Sequence, residues 1–353
     1  MDKFYPDPFL ASFTSIWKII DVASTRTNLN SIELHKRYGP FVRIGPNEIS
    51  MSDPAFVGEV LAPGKGFSKT DFYSVFPPQE PKDIFTELDE YVHANKKRVA
   101  AIPYSMNTML QISEPLTNTI QHLVLKLKSA AVDQGHVDLG QWLHFFAFDS
   151  LGEVAFSSEF GFLNAGRDID HTLYTIKQAA RYGGIVGQKP LLDRLLLNNP
   201  ILKALPFRRK DLLVAAKALE EVQKREPFSE LKEPNRKDIL SYLISGHLRS
   251  PSTFKSEDVS AVAIGAIFAG SDSTASAMQS FFFLVLKNRN VYEKIVNEIV
   301  EHRRGGRLTF EVITYEEAQR LTYFQAALLE SMRLRPPLGV NISRSAPKEG
   351  IVI

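Results

Sequence analysis

The run from Ser256 to Lys287 constrains the fold more than any other part of the chain, because it is long, contains no proline and predicts a single helix. Ser256 stands at its start as a candidate N-cap with two acidic residues behind it, and Lys287 stands at its end, so the charges complement the helix dipole. Apolar residues occupy nearly every side of its first half, whereas a surface helix carries one apolar stripe. The run therefore predicts a helix that passes through the middle of a domain.

Three small residues, Gly265, Ala269 and Gly270, lie in the middle of this helix, and a polar group follows at once in residues 271–274. The small residues leave room for a bulky group against the helix backbone. A buried acid beside hydroxyl groups costs stability unless partners satisfy them. Two explanations remain open: a close crossing of neighbouring helices that kinks the chain, or a site that handles protons and water beside a ligand.

A second helix is predicted downstream, where Glu330 and Arg333 stand three residues apart before Pro336 ends the helix. Most such pairs are solvated and contribute little to stability. The flanking residues are apolar, however, so we expect this pair to be partly buried. Replacing Glu330 by alanine is then expected to harm folding more than replacing Glu301, which lies in a charged segment.

The composition excludes several classes of protein. The 353 residues include no cysteine, which excludes disulfides, thiol catalysis and cysteine-bound zinc. The formal net charge is +2 and no basic stripe is present, so the sequence gives no reason to expect nucleic acid as a partner. No repeat or flexible linker interrupts the chain, which predicts one continuous domain over residues 1–353. Apart from a hairpin predicted at residues 41–51, strands are few, so the predicted fold class is mainly α with a small β portion.

Together, residues 269–274 and 330–333 resemble the central-helix and E-x-x-R signatures of the cytochromes P-450, the haem-thiolate monooxygenases. Their order and separation match as well. Further similar stretches are residues 36–40, 42–46, 147–153 and 334–337. The resemblance runs from near residue 5 to the end of the chain and is closest to the fungal pisatin-demethylase-like branch, which is associated with secondary metabolism. It implies a cytochrome P-450-like fold with haem as the cofactor.

The resemblance implies roles for the central helix. Ala269 and Gly270 would lie against the haem, Asp272 would relay protons, and Ser273 with its neighbour Thr274 would direct them to the bound oxygen. Serine stands where the family usually has threonine, with one methyl group fewer to fix its rotamer. The reaction implied is the insertion of one oxygen atom from dioxygen into a small hydrophobic organic substrate, with electrons from a flavoprotein reductase.

The resemblance also implies contacts to the haem propionates. His93 and Lys97 occupy the family's positions on one helix, with Arg98 as a rival for the basic contact because Lys cannot give the bidentate fork of Arg. Arg344, on a predicted strand, matches a further propionate-binding position. The alternatives are a solvated helix face for the basic residues and a lone exposed arginine on the strand.

Membrane association is expected only from the resemblance, because relatives carry an N-terminal membrane helix that places them at the endoplasmic reticulum. The first residues of this sequence show neither a basic region nor a long apolar run, so we expect no signal peptide or membrane anchor in it. The segment from Leu195 to Phe207 is unusually apolar for a connection. It would either dip into a bilayer surface or form a helix pair over the core.

The absence of cysteine conflicts with the implied chemistry, because haem iron in this family takes a cysteine thiolate. The ligand belongs to a glycine-containing loop downstream of the E-x-x-R helix. We therefore expect a C-terminally incomplete domain that lacks both the anchor and the cysteine loop, provides no metal ligand, and is inactive as given. The alternative is a truncated, non-catalytic relative that serves as a pseudoenzyme or binding protein.

Overall fold

A computed structural model describes residues 8–76, 81–196, 213–228, 237–309 and 311–350. Over these ranges the protein is mostly helical with a few short strands, which confirms the predicted fold class. The chain divides into two compact units, each built from separate stretches: residues 1–94, 174–211 and 339–353 form one, and residues 95–173 and 212–338 form the other. The single continuous domain stays a prediction.

The elements follow one another in a simple order along the chain. The helices are α1 (Ile16–Ala23), α2 (Thr27–Tyr38), α3 (Ala55–Leu61), α4 (Glu90–Ala100), α5 (Met106–Ile112), α6 (Leu116–Gln134), α7 (Leu139–Phe156), α8 (Phe162–Ala165), α9 (Thr172–Val186), α10 (Leu191–Leu195), α11 (Leu213–Gln223), α12 (Ile239–Arg249), α13 (Ser256–Lys287), α14 (Arg289–Arg304), α15 (Tyr315–Gln319) and α16 (Thr322–Leu334). The strands are β1 (Phe41–Gly45), β2 (Glu48–Met51), β3 (Ser68–Lys69) and β4 (Arg344–Ser345).

Both small sheets lie in the first unit. Strands β1 and β2 form an antiparallel hairpin with Phe41 opposite Met51, which confirms the hairpin predicted at residues 41–51. Gly39 links α2 to this hairpin with a φ of 92°, a conformation that favours glycine. Strands β3 and β4 pair antiparallel with Lys69 opposite Arg344, so the strand predicted after the E-x-x-R helix forms in part.

The second unit is built around α13, whose bounds confirm the predicted helix at residues 256–287 and make it the longest of the described part. Most of its first half is buried, as predicted from the apolar residues on all sides. The N-terminus differs from the prediction, because Ser256 is inside the helix. The buried Asp258 carboxylate accepts the Lys255 N–H at 2.8 Å instead and lies 3.0 Å from Lys96 Nζ.

The stretch 147–153 lies in α7 and has a structural role. Asp149 is fully buried, and its carboxylate accepts the backbone N–H groups of Gly161, Phe162 and Leu163 at 2.7–3.1 Å. These are orphan donors at the start of α8, so Asp149 caps that short helix. Gly152 allows the chain after α7 to fold back, because a Cβ at this position would lie 2.4 Å from the Ser158 carbonyl oxygen.

Within the described ranges, no helix combines the length and the apolar character needed to cross a bilayer. Leu195 and Leu196 are exposed. The rest of the apolar segment proposed to contact a membrane, residues 197–207, lies outside the described residues.

Candidate functional site

The hydroxyl groups in the middle of α13 are satisfied mainly by their own helix. Ser271 is buried and donates from Oγ to the Ile267 carbonyl at 2.7 Å, and Ser273 donates from Oγ to the Ala269 carbonyl at the same distance. Such bonds to the carbonyl four residues earlier are the usual way in which a helix accommodates serine. The Ser273 proton is therefore held by the backbone, and its oxygen lone pairs remain able to accept a hydrogen bond.

The small residues of α13 divide into two roles. A Cβ at Gly270 would lie 3.0 Å from Cδ1 of Leu151 on α7, so this glycine permits a close helix crossing. Ala269, by contrast, is exposed, although the other residues from 258 to 271 are buried or half-buried. Ala269 and Ser273 are one turn apart and share a face. We call this face, which carries Ala269 and Ser273, the open face of α13. The roles of Ala269 and Gly270 in cofactor binding stay predictions.

Asp272 has a partner that the sequence did not reveal. Its Oδ1 atom lies 3.1 Å from Nε2 of His144 on α7, and the aspartate side chain is partly exposed. No sequence pattern connects these two residues, because they lie on different helices far apart in the chain. Thr274 is exposed beside them. The candidate site therefore contains an acid, an imidazole and an alcohol.

The E-x-x-R pair forms as predicted but is not buried. Arg333 donates from Nε and Nη2 to the two Glu330 carboxylate oxygens at 2.6 and 2.7 Å, which lowers the pKa of Glu330. The side chains of Arg333 and Glu330 are 68% and 52% exposed, so the predicted partial burial is wrong. The reason is the direction of α16, which turns Phe324, Ala327 and Leu328 toward a core cluster and leaves the charged pair on another face.

This exposure changes the expected effect of Glu330→Ala. Exposed ion pairs contribute little because water screens them and their side chains lose entropy on pairing. In the 353-residue chain we now expect Glu330→Ala and Glu301→Ala to give the same unfolding midpoint within error, measured by circular dichroism during heating. A markedly lower midpoint for the Glu330 variant alone would show that the Glu330–Arg333 pair stabilises the fold, as its apolar flanks predict.

Arg344 is a half-buried cation with no ion-pair partner among the described residues. Its guanidinium stands 5.2 Å from the ring centre of Tyr73, and burial lowers its pKa. Within the described part of the chain no carboxylate pairs with it. The hydroxyl group of Tyr73 is also buried without a hydrogen-bond partner among the described residues. An anionic group with acceptor oxygens would satisfy both, since buried polar groups need partners.

Lys69, opposite Arg344 in the β3–β4 pair, forms hydrogen bonds with backbone carbonyl groups. Its ammonium group donates to the carbonyl oxygens of Ile84, Phe85 and Glu87 at 2.6–3.1 Å. Burial lowers its pKa to about 8, against the opposing effect of Asp83. Because these three carbonyls occupy its donors, Lys69 supports the local chain. Of the two basic residues in this strand pair, Arg344 is the one available to a ligand.

The predicted propionate-binding residues of α4 lie on that helix in different surroundings. His93 is largely buried, with Nδ1 4.0 Å from the Glu90 carboxylate, whereas Lys97 and Arg98 are exposed. The buried basic residue of this helix is Lys96, which pairs with Asp258. Contacts of His93, Lys97 and Arg98 with a cofactor stay predictions.

The side chains present fit part of a haem. In the first unit, Arg344 and the Tyr73 hydroxyl have the chemistry to bind a carboxylate of the kind that haem carries. In the second unit, taken by itself, the exposed Ala269 leaves room for a flat ring on α13. No thiolate is available because the chain contains no cysteine, and no group of three or more His, Asp or Glu residues within the described ranges is arranged to hold a metal ion. Each unit therefore carries side chains of a kind that can contact a haem, while the thiolate ligand is not supplied by these 353 residues.

The protein is mainly helical and built around one long helix that carries an acid and an alcohol, with an E-x-x-R pair downstream. These features agree with the resemblance to the haem-dependent monooxygenases. The family model for cytochrome P450 matches residues 6–353. The chain belongs to the cytochrome P450 family, which uses haem as its cofactor.

Three similar proteins are fungal monooxygenases. The chain is 32% identical to cytochrome P450 monooxygenase cicH of Emericella nidulans, over 99% of this chain and 70% of that protein. It is 30% identical to cytochrome P450 monooxygenase hepC of Aspergillus oryzae, with 99% and 70% covered. It is also 30% identical to cytochrome P450 monooxygenase mpaDE of Penicillium roqueforti, of which it covers 42%. These relatives extend well beyond the matched region.

Proposed function

We propose that the chain provides the helical body of a haem-thiolate monooxygenase, which inserts one oxygen atom from dioxygen into a small hydrophobic organic substrate. A flavoprotein reductase would supply the electrons. The single observation that supports this most is the open face of α13, where Ala269 and Ser273 lie next to Asp272 in a chain that matches the cytochrome P450 family over residues 6–353. The fungal relatives support a role in secondary metabolism. Within the family, we assign the chain to the pisatin-demethylase-like branch and place its function at the endoplasmic reticulum.

Bound haem supplies the oxygen chemistry, and the residues of this chain prepare its surroundings. Arg344 would neutralise a haem carboxylate, because its guanidinium is half-buried and has no carboxylate partner in the part of the chain that the structure describes. Ser273, whose proton is held by the Ala269 carbonyl, would accept a hydrogen bond on the open face. Asp272, partly exposed to solvent, would exchange protons with water and pass them toward Ser273.

The thiolate must come from residues other than these 353, because no cysteine is present among them. The monooxygenase reaction requires this thiolate as a ligand of the haem iron, because the thiolate pushes electron density onto the iron and so favours cleavage of the O–O bond. The second candidate function is a non-catalytic, ligand-binding relative, and the same lack of cysteine favours it. The two candidates differ in whether a cysteine-bearing continuation restores thiolate ligation.

We expect that the 353-residue chain, expressed with haem and reduced under carbon monoxide, shows no red-shifted Soret band and oxygenates no substrate, because carboxylate contacts cannot replace an axial sulfur. The matched control is the same chain joined to the corresponding C-terminal region of cicH, with a second version whose added cysteine is changed to alanine. The band should appear only in the cysteine-containing fusion.

Two results would contradict the proposal. A red-shifted Soret band in the unextended chain would show that this band does not require a cysteine thiolate. A folded fusion that retains haem in neither version would favour the non-catalytic alternative.

A further inference from the structure

His144 holds a ring nitrogen in an unusual state. Its Nε2 atom is shut off from water and has no hydrogen bond within the part of the chain that the structure describes. Oδ1 of Asp272 lies 3.1 Å from it, but the contact does not have the alignment of a hydrogen bond. A buried polar atom without a hydrogen bond costs stability. The contact with Asp272 is therefore the interaction that can offset this cost.

The two helices that carry this pair are locked together on both sides of it. Toward one end, Gln279 Nε2 on α13 donates to the Gly140 carbonyl on α7 at 2.8 Å. Toward the other end, Gly270 brings α13 close to Leu151 of α7. The imidazole of His144 also lies against the ring of Phe148, with centroids 5.9 Å apart. These contacts fix where the imidazole sits relative to α13.

We propose that His144 is a positioning residue for Asp272. The contact through Nε2 holds the Asp272 carboxylate toward α7 and so sets the orientation of this carboxylate relative to Ser273. This inference rests on the proposed function, in which Asp272 passes protons beside the haem. Ser273 is oriented by its own helix through the Ala269 carbonyl, whereas Asp272 takes part of its orientation from a neighbouring helix. His144 acts only through the acid.

The test is carboxylate 13C NMR of the full 353-residue chain labelled at aspartate, with the Asp272 resonance assigned by its loss in Asp272→Asn. His144→Phe keeps a ring beside Phe148 and removes both nitrogens, whereas His144→Gln keeps a nitrogen at the ε position. We expect the Asp272 resonance to move by more than its linewidth in His144→Phe and to remain near its original position in His144→Gln.

The Asp149 resonance is the internal control. The Asp149 carboxylate lies on α7, as His144 does, but it is held by backbone N–H groups. Neither variant should therefore shift the Asp149 resonance. If His144→Phe does not fold, His144→Leu serves as the apolar variant. An unchanged Asp272 resonance in the apolar variant, or equal displacement in the apolar and Gln variants, overturns the proposal. The NMR shifts require neither bound haem nor turnover. A negative result in this test is therefore distinguishable from a negative result in the carbon monoxide test of the proposed function.

Discussion

Replacing Asp238 by alanine should lower the free energy of unfolding by about 3–5 kcal/mol, because it leaves the charge of Arg225 uncompensated inside the protein. Asp238 is 1% exposed and caps α12. Its two carboxylate oxygens accept from Nη1 and Nη2 of Arg225 at 2.8 and 2.7 Å. Ser157 Oγ donates to the same carboxylate at 2.7 Å, and Ser241 donates through both its N–H and its hydroxyl group.

Urea denaturation followed by circular dichroism measures this loss. The matched control is Glu293→Ala, which breaks an ion pair of comparable length with Arg289 on the exposed surface of α14. Because that pair is solvated, the control should leave the urea midpoint almost unchanged. A similar midpoint for the two variants would show that the buried network does not stabilise this fold.

The same network makes a prediction about pH. Burial of Asp238 raises its pKa, but the hydrogen bonds and charge of Arg225, with the bonds from Ser157 and Ser241, outweigh this effect, so its pKa is lowered. A carboxyl group with a lowered pKa in the folded state stabilises the protein above its unfolded pKa of about 3.9 and loses that contribution as the pH falls through the folded value. The difference in unfolding free energy between the original chain and Asp238→Ala should therefore shrink with acidification below about pH 4. A difference that grows on acidification would contradict the assignment.

Replacing Gly152 by alanine should destabilise the protein by about 3 kcal/mol, near the upper end of the usual cost of overpacking. Alanine normally favours the middle of a helix over glycine by roughly 0.5–1 kcal/mol. Here the added Cβ would meet the Ser158 carbonyl oxygen at 2.4 Å, and this is a backbone atom that cannot rotate away. The chain after α7 must then shift, which also strains the cap that Asp149 provides to α8.

Gly184→Ala, within α9, is the control for this substitution. Its added Cβ would find only Val22 at 3.9 Å, an ordinary contact. It should therefore leave the thermal midpoint unchanged or raise it slightly through helix propensity. If Gly152→Ala gives the same midpoint as Gly184→Ala, the close return of the chain at residue 158 is not a constraint on the fold.

Local features of the sequence predicted the elements that depend on neighbouring residues. The absence of proline and the terminal charges of residues 256–287 predicted the bounds of α13, because helix formation and the helix dipole act over a few residues. The alternating residues around the Gly45-Pro46-Asn47 turn predicted the β1–β2 hairpin for the same reason. The pairing of Glu330 with Arg333 was likewise predictable, since residues three apart on a helix are neighbours.

Tertiary structure decided everything that joins residues far apart in the chain. The E-x-x-R spacing determined that the pair forms, but the direction in which α16 packs placed it in water. The crossing of α7 and α13 brought His144 to Asp272, and the fold of the second unit buried Arg225 beside Asp238. Sequence spacing holds no information about such contacts, because burial depends on which helix face meets another helix. The sequence by itself therefore determined the helices, the hairpin and the candidate acid and alcohol, while the packing between helices determined their partners and their exposure.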